Sequence, residues 1–377
     1  MSAATYDVVI VGAGIVGAAC AAECVRQGLR TAIIDRAEVG GGATAAGMGH
    51  IVVMDDSEAQ FALTRFSQQL WQELRSDLPA DVEYESSGTI WVAADEEEMV
   101  EVRRKQDYYS QRGVLVVVLN TESLERLEPN LRKGMAGGLL VPEDVVLYPP
   151  CAAQFLLQRA QAGGAKVYLG AGVSQIGQGR VRLADGAEFS ADKIVNATGA
   201  WAAQLTPGLD IKKRKGHLVI TDRYPGFVRH QLVELGYLKS ARSATGDSVA
   251  FNAQPRKTGQ ILIGSSRQYD AEHKEVDTAI LRRMMQRAQE YMPGLMQTSA
   301  LRVWTGFRAT TSDKLPLIGP WPSDPTVFLA TGHEGLGIAT SLATARLLID
   351  QMVGNSPVIP IEPYLPSRAA MLEHAHA

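Results

Sequence analysis

An α/β fold is predicted, with a βαβ unit opening one domain and a mixed α+β sheet forming a second. The chain has 377 residues, more than one hydrophobic core usually supports, so two domains are expected. A short β-branched run, Tyr6 to Val11, meets a glycine turn, a helical pattern from Ile15 to Gln27 and a second strand, Thr31 to Ile34. Near Tyr148-Pro149-Pro150 the pattern changes back to a helix and an apolar strand, so the chain is expected to return to its first domain.

After the second strand, a glycine-rich loop from Gly40 to Gly49 leads to an amphipathic helix around Ser57 to Leu78. Strand-like runs at Gly88 to Ala93 and Val114 to Val118 begin the mixed sheet. A helix to Ala162, short strands near Val167 and from Arg180 to Leu183, and the apolar strand Lys193 to Ala197 belong to the first domain again. From Gly216 to about Ala309, strands alternate with one helix, Asp277 to Met292, which the Pro293-Gly294 pair should stop. Val327 to Ala330 reads as a strand, Gly337 to Met352 as a helix, and a proline-studded tail begins at Pro357. The expected division is 1–80, 142–210 and 306–365 for the first domain, 81–141 and 211–305 for the second, and 366–377 for a tail.

Apolar residues make up 46% and charged residues 21% of the chain, a composition that predicts folding throughout. A net charge of -4 supplies no field for DNA or RNA, and the run Lys212-Lys213-Arg214-Lys215 reads as a solvated loop. Cys20, Cys24 and Cys151 are too few and wrongly spaced for zinc or an iron–sulfur cluster and outline no disulfide framework, so no metal and a reducing cytoplasm are expected. The apolar stretch Val8 to Val25 lacks a basic flank and contains Gly12, Gly14, Gly17 and Glu23, so neither a targeting peptide nor a membrane span is expected.

The first turn reads Gly12-x-Gly14-x-x-Gly17. Its glycines permit a tight turn, the approach of a pyrophosphate and close helix–strand contact, and the helix N-terminus receives the phosphate charge. Asp35 closes the second strand 21 residues beyond Gly14, where a ribose hydroxyl needs an acceptor. Triplet and acid together point to a Rossmann-like dinucleotide-binding domain, without separating NAD from FAD. The small residues from Gly40 to His50 favour FAD, since they let backbone amides approach a bulky planar ligand from the side.

Three more segments stand out: Ala191 to Trp201 (ADKIVNATGAW), Trp304 to Gly319 (WTGFRATTSDKLPLIG) and Thr331 to Ile338 (TGHEGLGI). With the first motif they resemble, from Tyr6 to about Val353, the D-amino acid oxidase-like flavoprotein family, which includes glycine oxidase, sarcosine oxidase and bacterial amino acid dehydrogenase subunits. The resemblance implies a Rossmann-like FAD-binding domain and a mixed-sheet α+β substrate domain. It places at the cofactor Gly12, Gly14, Ile15, Val16 and Gly17 of the turn, Asp35 and Arg36 after the second strand, and Thr44, Ala45, Gly47, Met48 and Gly49 of the loop. Val173 corresponds to the position whose backbone meets the adenine, and Ala197 and Gly199 to the second nucleotide-contacting turn. Gly332, Glu334, Gly335, Leu336, Gly337 and Ile338 correspond to the glycine-rich lead into the last helix, whose amides and dipole meet the flavin pyrimidine.

The candidate catalytic residues are Arg308, His50, Tyr237 and His333. Arg308 stands where the family's arginine holds a substrate carboxylate bidentately; its plainer alternative is an internal salt bridge. His50 is either a flavin contact or packing, His333 and Glu334 either serve the site or cap the helix or face solvent, and Tyr237 lies in a stretch that would line the pocket in this fold. Two departures from the family pattern are Tyr148 before Pro149, where an aspartate or asparagine is common, and Arg267 after Ser265-Ser266, where an acid is common. With no cysteine near Arg308, the cysteine attachment of monomeric sarcosine oxidase has no counterpart, and dissociable FAD is expected.

The implied reaction is oxidation of the C–N bond of a small amino or imino acid, of the D-amino acid, D-hydroxyproline, glycine or sarcosine type, by hydride transfer to flavin, giving an imine. Other readings are a flavin monooxygenase, for which no second glycine fingerprint provides an NADPH site, and a flavin-bearing electron-transfer or structural subunit. A dehydrogenase passing electrons to a quinone or a partner subunit is expected, because no lysine is placed over the flavin, Lys239 and Lys257 excepted. An iron–sulfur relay or a membrane association would have to come from that partner.

Overall fold

A computed structural model describes residues 4–236, 246–269 and 271–368, so Tyr237 and Lys239 lie outside the described residues. β1 (Ala4–Val11) runs into the glycine turn and α1 (Ile15–Arg26), and β2 (Thr31–Ile34) returns parallel to β1. Then come α2 (Gly42–Ala45), β3 (His50–Ile51), α3 (Glu58–Glu73), β4 (Thr89–Ala93), α4 (Glu96–Gln111), β5 (Val117–Asn120), α5 (Thr121–Leu127), β6 (Gly137–Val141) and β7 (Val145–Val146). The chain continues through α6 (Pro149–Ala162), β8 (Lys166–Tyr168), β9 (Val173–Gly177), β10 (Arg180–Leu183), β11 (Glu188–Asn196), α7 (Ala202–Leu205), β12 (Lys212–Thr221) and β13 (Gln231–Glu234). It closes with β14 (Ser248–Pro255), β15 (Ile261–Arg267), α8 (Thr278–Tyr291), β16 (Ala300–Thr310), β17 (Leu317–Trp321), β18 (Asp324–Thr331), β19 (His333–Glu334) and α9 (Ser341–Val353).

The first sheet follows the order β17-β18-β11-β1-β2-β8, with the β9–β10 hairpin continuing from β11. Its centre is parallel, and β1 shows why. Val8 and Ile10 pack toward the helices, while Val9 and Val11 pack with Phe189 and Val181 beneath the hairpin, so the strand is apolar on both faces. α1, α6 and α9 form the helical layer, joined through Ala18, Leu156 and Leu347. The second sheet has the order β19-β16-β12-β15-β14-β13-β4-β6-β5 and is antiparallel except where β13 meets β4. α8 covers one of its faces, with Met284, Ala288 and Tyr291 against Ile90, Leu232 and Phe251. The α/β class with a second mixed sheet, expected from the sequence, is therefore observed.

Several elements differ from expectation. Lys212-Lys213-Arg214-Lys215 is no solvated loop: it opens β12, paired residue by residue with β16, and Arg214 and Lys215 are buried. Only the pairing of distant strands decides that exposure. α4 escapes an apolar-periodicity reading because half of its sixteen residues are charged, although Asp95 caps it and Glu96, Glu97 and Glu98 fill its first turn. β6 is masked by Gly137-Gly138, where a Cβ on Gly138 would lie 2.5 Å from the Trp91 carbonyl, and β17 by Gly319-Pro320. α3 ends at Glu73, with a separate 3-10 turn before Leu78. α9 starts at Ser341, because the Gly335–Gly337 stretch forms a turn. The Gly40–Gly49 loop contains the single helical turn α2. Among the described residues, no helix is long and apolar enough to cross a membrane.

The tightest contact lies in the first turn. Gly12 has φ 108°, and a Cβ on Gly17 would stand 1.8 Å from the Gly12 carbonyl oxygen. Gly17→Ala should force α1 away from β1 and destabilise the protein by about 1–3 kcal/mol, as overpacking does. Denaturant unfolding checks this; an unchanged midpoint would refute the close-contact account.

Candidate active site

A cavity of about 1040 Å³ is lined by both sheets. One end is built around α1. Gly12, Gly14, Ile15 and Val16 line it, and Gly14 is an N-cap that offers no side chain to the first turn. Ile15 N–H donates to Thr44 Oγ1 at 3.0 Å, while first-turn amides that a helix cannot satisfy from within remain suited to an anion. Asp35 is fixed at the end of β2: its Oδ2 accepts from Ala13 N at 2.6 Å and its Oδ1 from Ala37 N at 2.8 Å. Each oxygen keeps accepting capacity for a diol. The Arg36 guanidinium lies 4.8 Å and the Lys274 ammonium 5.9 Å from the Trp201 ring centroid, and all three line the cavity. Val173, Ala197 and Gly199 complete this end, while Thr44, Gly47 and Met48 continue the wall toward His50.

Four predicted contacts lie outside the lining. Gly17 is taken up by its contact with Gly12, and Ala45 is exposed on α2. Gly49, at φ 101°, passes the Leu147 carbonyl, which its Cβ would meet at 2.1 Å; Gly332, at φ 80°, passes Thr311. The three glycines let the chain pass closely behind the lining residues.

The other end is built around β16. Arg308 lines it, and Arg308 Nη1 donates to the Ser266 carbonyl at 3.0 Å. The guanidinium has room because β12 has glycine here: a Cβ on Gly216 would lie 2.5 Å from Arg308 Nη1. Ser266 is held in turn by His217, whose Nδ1 lies 2.9 Å from its hydroxyl while Nε2 accepts from Asp277 N at 3.0 Å. Glu334 forms an ion pair with Arg214, and Arg267 Nε lies 3.9 Å away. Burial raises the Glu334 carboxyl, but Arg267, Arg308, Arg214 and Lys314 outweigh it and hold the carboxyl below its usual range. Glu334 therefore neither caps α9 nor faces solvent, and the Arg267 departure answers it. His333, also lining the cavity, has its Nε2 3.0 Å from Thr344 Oγ1. Leu336, Gly335, Gly337 and Ile338 form the wall between the two ends.

A family model described as FAD dependent oxidoreductase matches residues 7–351. The chain belongs to this family. The FAD-dependent oxidoreductase is 27% identical to glycine oxidase of Geobacillus kaustophilus over 95% of this chain and 96% of that protein. The crystal structure of glycine oxidase from that organism superposes with a TM-score of 0.86 at 26% identity, covering 97% and 99% of the two chains. Hydrogen cyanide synthase subunit HcnC of Pseudomonas aeruginosa is 29% identical over 97% of this chain and 96% of that one. L-proline dehydrogenase of P. horikoshii shares the fold, with a TM-score of 0.88 at 22% identity over 99% of each chain. The cavity fits FAD on its own chemistry: a carboxylate at one end, an uncapped helix N-terminus beside it, and a long glycine-lined wall.

In this flavoenzyme chain none of the three cysteines lines the cavity; Cys20 and Cys24 are buried in α1. Lys257 is exposed and pairs with Glu85 at 2.9 Å. Lys274 and Lys314, which no local motif marks, do line the cavity, so the absence of a lysine does not support a dehydrogenase over an oxidase. Arg368, expected in a free tail, clamps Asp313 with bonds of 2.6 and 2.8 Å and so braces the segment after Arg308. Tyr148 is the N-cap of α6 and stacks under Arg256, 4.1 Å away, which accounts for the other departure structurally. Also unread in the sequence were Trp91, Gln231 and Asn252 from β4, β13 and β14. No local motif marks them.

Burial pushes His50 down to about 4, with the Arg308 charge adding to the effect, and its Nδ1 is buried without a hydrogen-bond partner. His333 is likewise pushed down to about 4 by burial. Both imidazoles are neutral at pH 7. Asp144, bonded by Gln68 at 2.9 Å and by Val53 N at 3.3 Å, is pushed by burial up to about 7. A raised acid favours folding at low pH and costs stability as pH climbs from the unfolded value to the folded one. Asp144→Asn should thus gain on the parent between pH 5 and 8, by roughly 2–3 kcal/mol. Urea unfolding at both pH values checks the sign. A separate expectation concerns Asp35→Ala, which should weaken FAD retention in gel filtration at low flavin concentration.

Proposed function

We propose that the protein oxidises the C–N bond of a small amino or imino acid whose carboxylate is held by Arg308. The observation that carries this reading is the placement of Arg308 in the same cavity as the α1 turn, with its guanidinium cleared by Gly216 and steadied by the Ser266 carbonyl. Bound FAD supplies the hydride acceptor. The chain's contribution is orientation. The planar fork of Arg308 fixes a carboxylate and so the adjacent carbon that loses hydride. Glu334, held ionised by the surrounding guanidiniums, pairs with Arg214 beside Arg308. Neutral His50 beside Arg308 adds no competing cation and is too weak a base to hold a proton from the substrate amine at neutral pH. The glycine oxidase relatives support an amino acid as substrate, and the similarity to a protein named as a subunit supports association with a partner chain.

Anaerobic mixing of the FAD-loaded protein with D- and L-amino and imino acids should bleach the flavin with at least one of them. Arg308→Leu should weaken that substrate by about 2–5 kcal/mol, the usual cost of removing one partner of a desolvated charge pair, with Arg308→Lys recovering part. Unchanged apparent affinity in Arg308→Leu would refute the assignment.

A further inference from the structure

Arg308 takes its hold from a break in the sheet beside it. β12 and β15 pair at Val219 with Ile263 and Ile220 with Leu262, and again at Lys215 with Gln268. Between those points three residues of β12 face four of β15, so the ladder slips by one residue, as at a bulge. Side chains fill the slip. His217 N–H donates to the Ser266 hydroxyl at 2.9 Å rather than to a main-chain carbonyl, and the Ser266 carbonyl accepts from Arg308 Nη1 at 3.0 Å. The His217 ring meets the same hydroxyl, with Nδ1 2.9 Å from Ser266 Oγ. Its Nε2 accepts from Asp277 N at 3.0 Å, which leaves the ring proton on Nδ1 and makes Nδ1 the donor to Ser266. Burial holds the ring below its ordinary pKa, with the Lys215 and Arg308 charges adding and Asp277 and Asp247 opposing, so the ring is neutral. His217 is 0% and Ser266 1% exposed.

We propose that His217 and the Ser266 hydroxyl are positioning groups for Arg308: they fix the carbonyl that aims its guanidinium, and so set the affinity for the substrate carboxylate without touching it. This rests on the carboxylate role given to Arg308 above. Gly216 lines the cavity under the guanidinium, whereas His217, next along the strand, points to the opposite face, where α8 begins. Without the Ser266 hydroxyl, the His217 N–H and Nδ1–H both lose their acceptor in a buried place, a cost that the slipped segment can relieve only by shifting. A planar fork holds a carboxylate through two parallel bonds, so a tilt of the fork weakens both at once. The far end of the chain of contacts is fixed as well. Asp277 caps α8 by accepting from Ala279 N at 2.9 Å and Ile280 N at 3.1 Å, and it takes Gln268 Nε2 at 2.9 Å. The two ring nitrogens of His217 thus have separable tasks: Nδ1 steers Arg308 through Ser266, and Nε2 ties β12 to α8.

The test uses FAD-loaded protein and two readouts: the Kd of propionate from perturbation of the oxidised flavin spectrum, and the apparent KM and limiting rate of anaerobic bleaching by glycine and by each enantiomer of alanine and proline. His217→Asn places an amide N–H near the Nδ1 position and keeps the Ser266 bond, while His217→Gln reaches the Nε2 position and keeps only the Asp277 bond. Ser266→Ala and His217→Gln should each raise the propionate Kd and the KM by about five- to tenfold, the worth of one buried hydrogen bond. His217→Asn should stay within about twofold of the parent, and the limiting rate should move by less than about twofold in all three, since binding rather than the reacting step is altered. In an Arg308→Lys background Ser266→Ala should add less than about twofold, because its effect runs through the guanidinium. FAD content should be the same in all variants. An unaltered Kd in Ser266→Ala, equal losses in His217→Asn and His217→Gln, the full loss repeated in the Arg308→Lys background, or loss of FAD would overturn the positioning role. If no amino or imino acid bleaches the flavin but the propionate pattern is present, the oxidation reading fails while the positioning role stands. If Arg308→Leu weakens the reactive amino acid and Ser266→Ala does not, the positioning role fails while the oxidation reading stands.

Discussion

Gly332 carries the chain from β18, in the first sheet, to β19, in the second. At φ 80°, with a Cβ that would lie 2.8 Å from Thr311 Cγ2, the passage needs glycine. On one side of it β18 pairs with β11, which ends beside the α1 turn; on the other, β19 pairs with β16, which carries Arg308. The helix N-terminus and the guanidinium thus open into one cavity although they stand at opposite ends of the sequence. The crossing also sets the position of Glu334, two residues on.

That position settles the electrostatics of the β16 end. Register sets Arg214 directly opposite Arg308 across β12 and β16, a like-charge arrangement that costs stability on its own. Glu334 enters from β19 beside Ala309 and takes up the Arg214 charge, with Arg267 near. Arg214, Arg267 and Arg308 gather around Glu334 at this end of the cavity, where guanidiniums suit an anion in a site partly withdrawn from water. The neutral states of His50 and His333 fit the same field, since a further cation there would be repelled as well as desolvated.

The opposite wall is governed by a second buried ion pair. Lys105 and Asp55 are both almost fully buried, and Tyr109 donates to the Val53 carbonyl at 3.2 Å and to Asp55 at 3.2 Å. Such a pair is a weak source of stability but is costly to break. Here it joins α4 to the segment after β3 and backs the Trp91 ring. The cavity therefore has an arginine-rich end and a wall carrying Trp91, Gln231 and Asn252, each backed by a buried ion pair.

The sequence by itself determined what depends on near neighbours. The strand–turn–helix of Tyr6 to Gln27, the short β2, and α6 with Pro149 in its first turn were legible because glycine, proline and apolar spacing act within a few residues. The Asp277 cap and the break at Pro293 framed α8 in the same way. Tertiary structure alone decided the rest. Lys212 to Lys215 looked hydrophilic, yet pairing with β16 buries half of the run. That a Cβ on Gly49 or Gly332 would run into Leu147 or Thr311 is likewise visible only in the fold. Gln231, Asn252 and Trp91 carry no local signature; they meet only because β13 lies between β4 and β14, and strand order is set by the burial of whole faces.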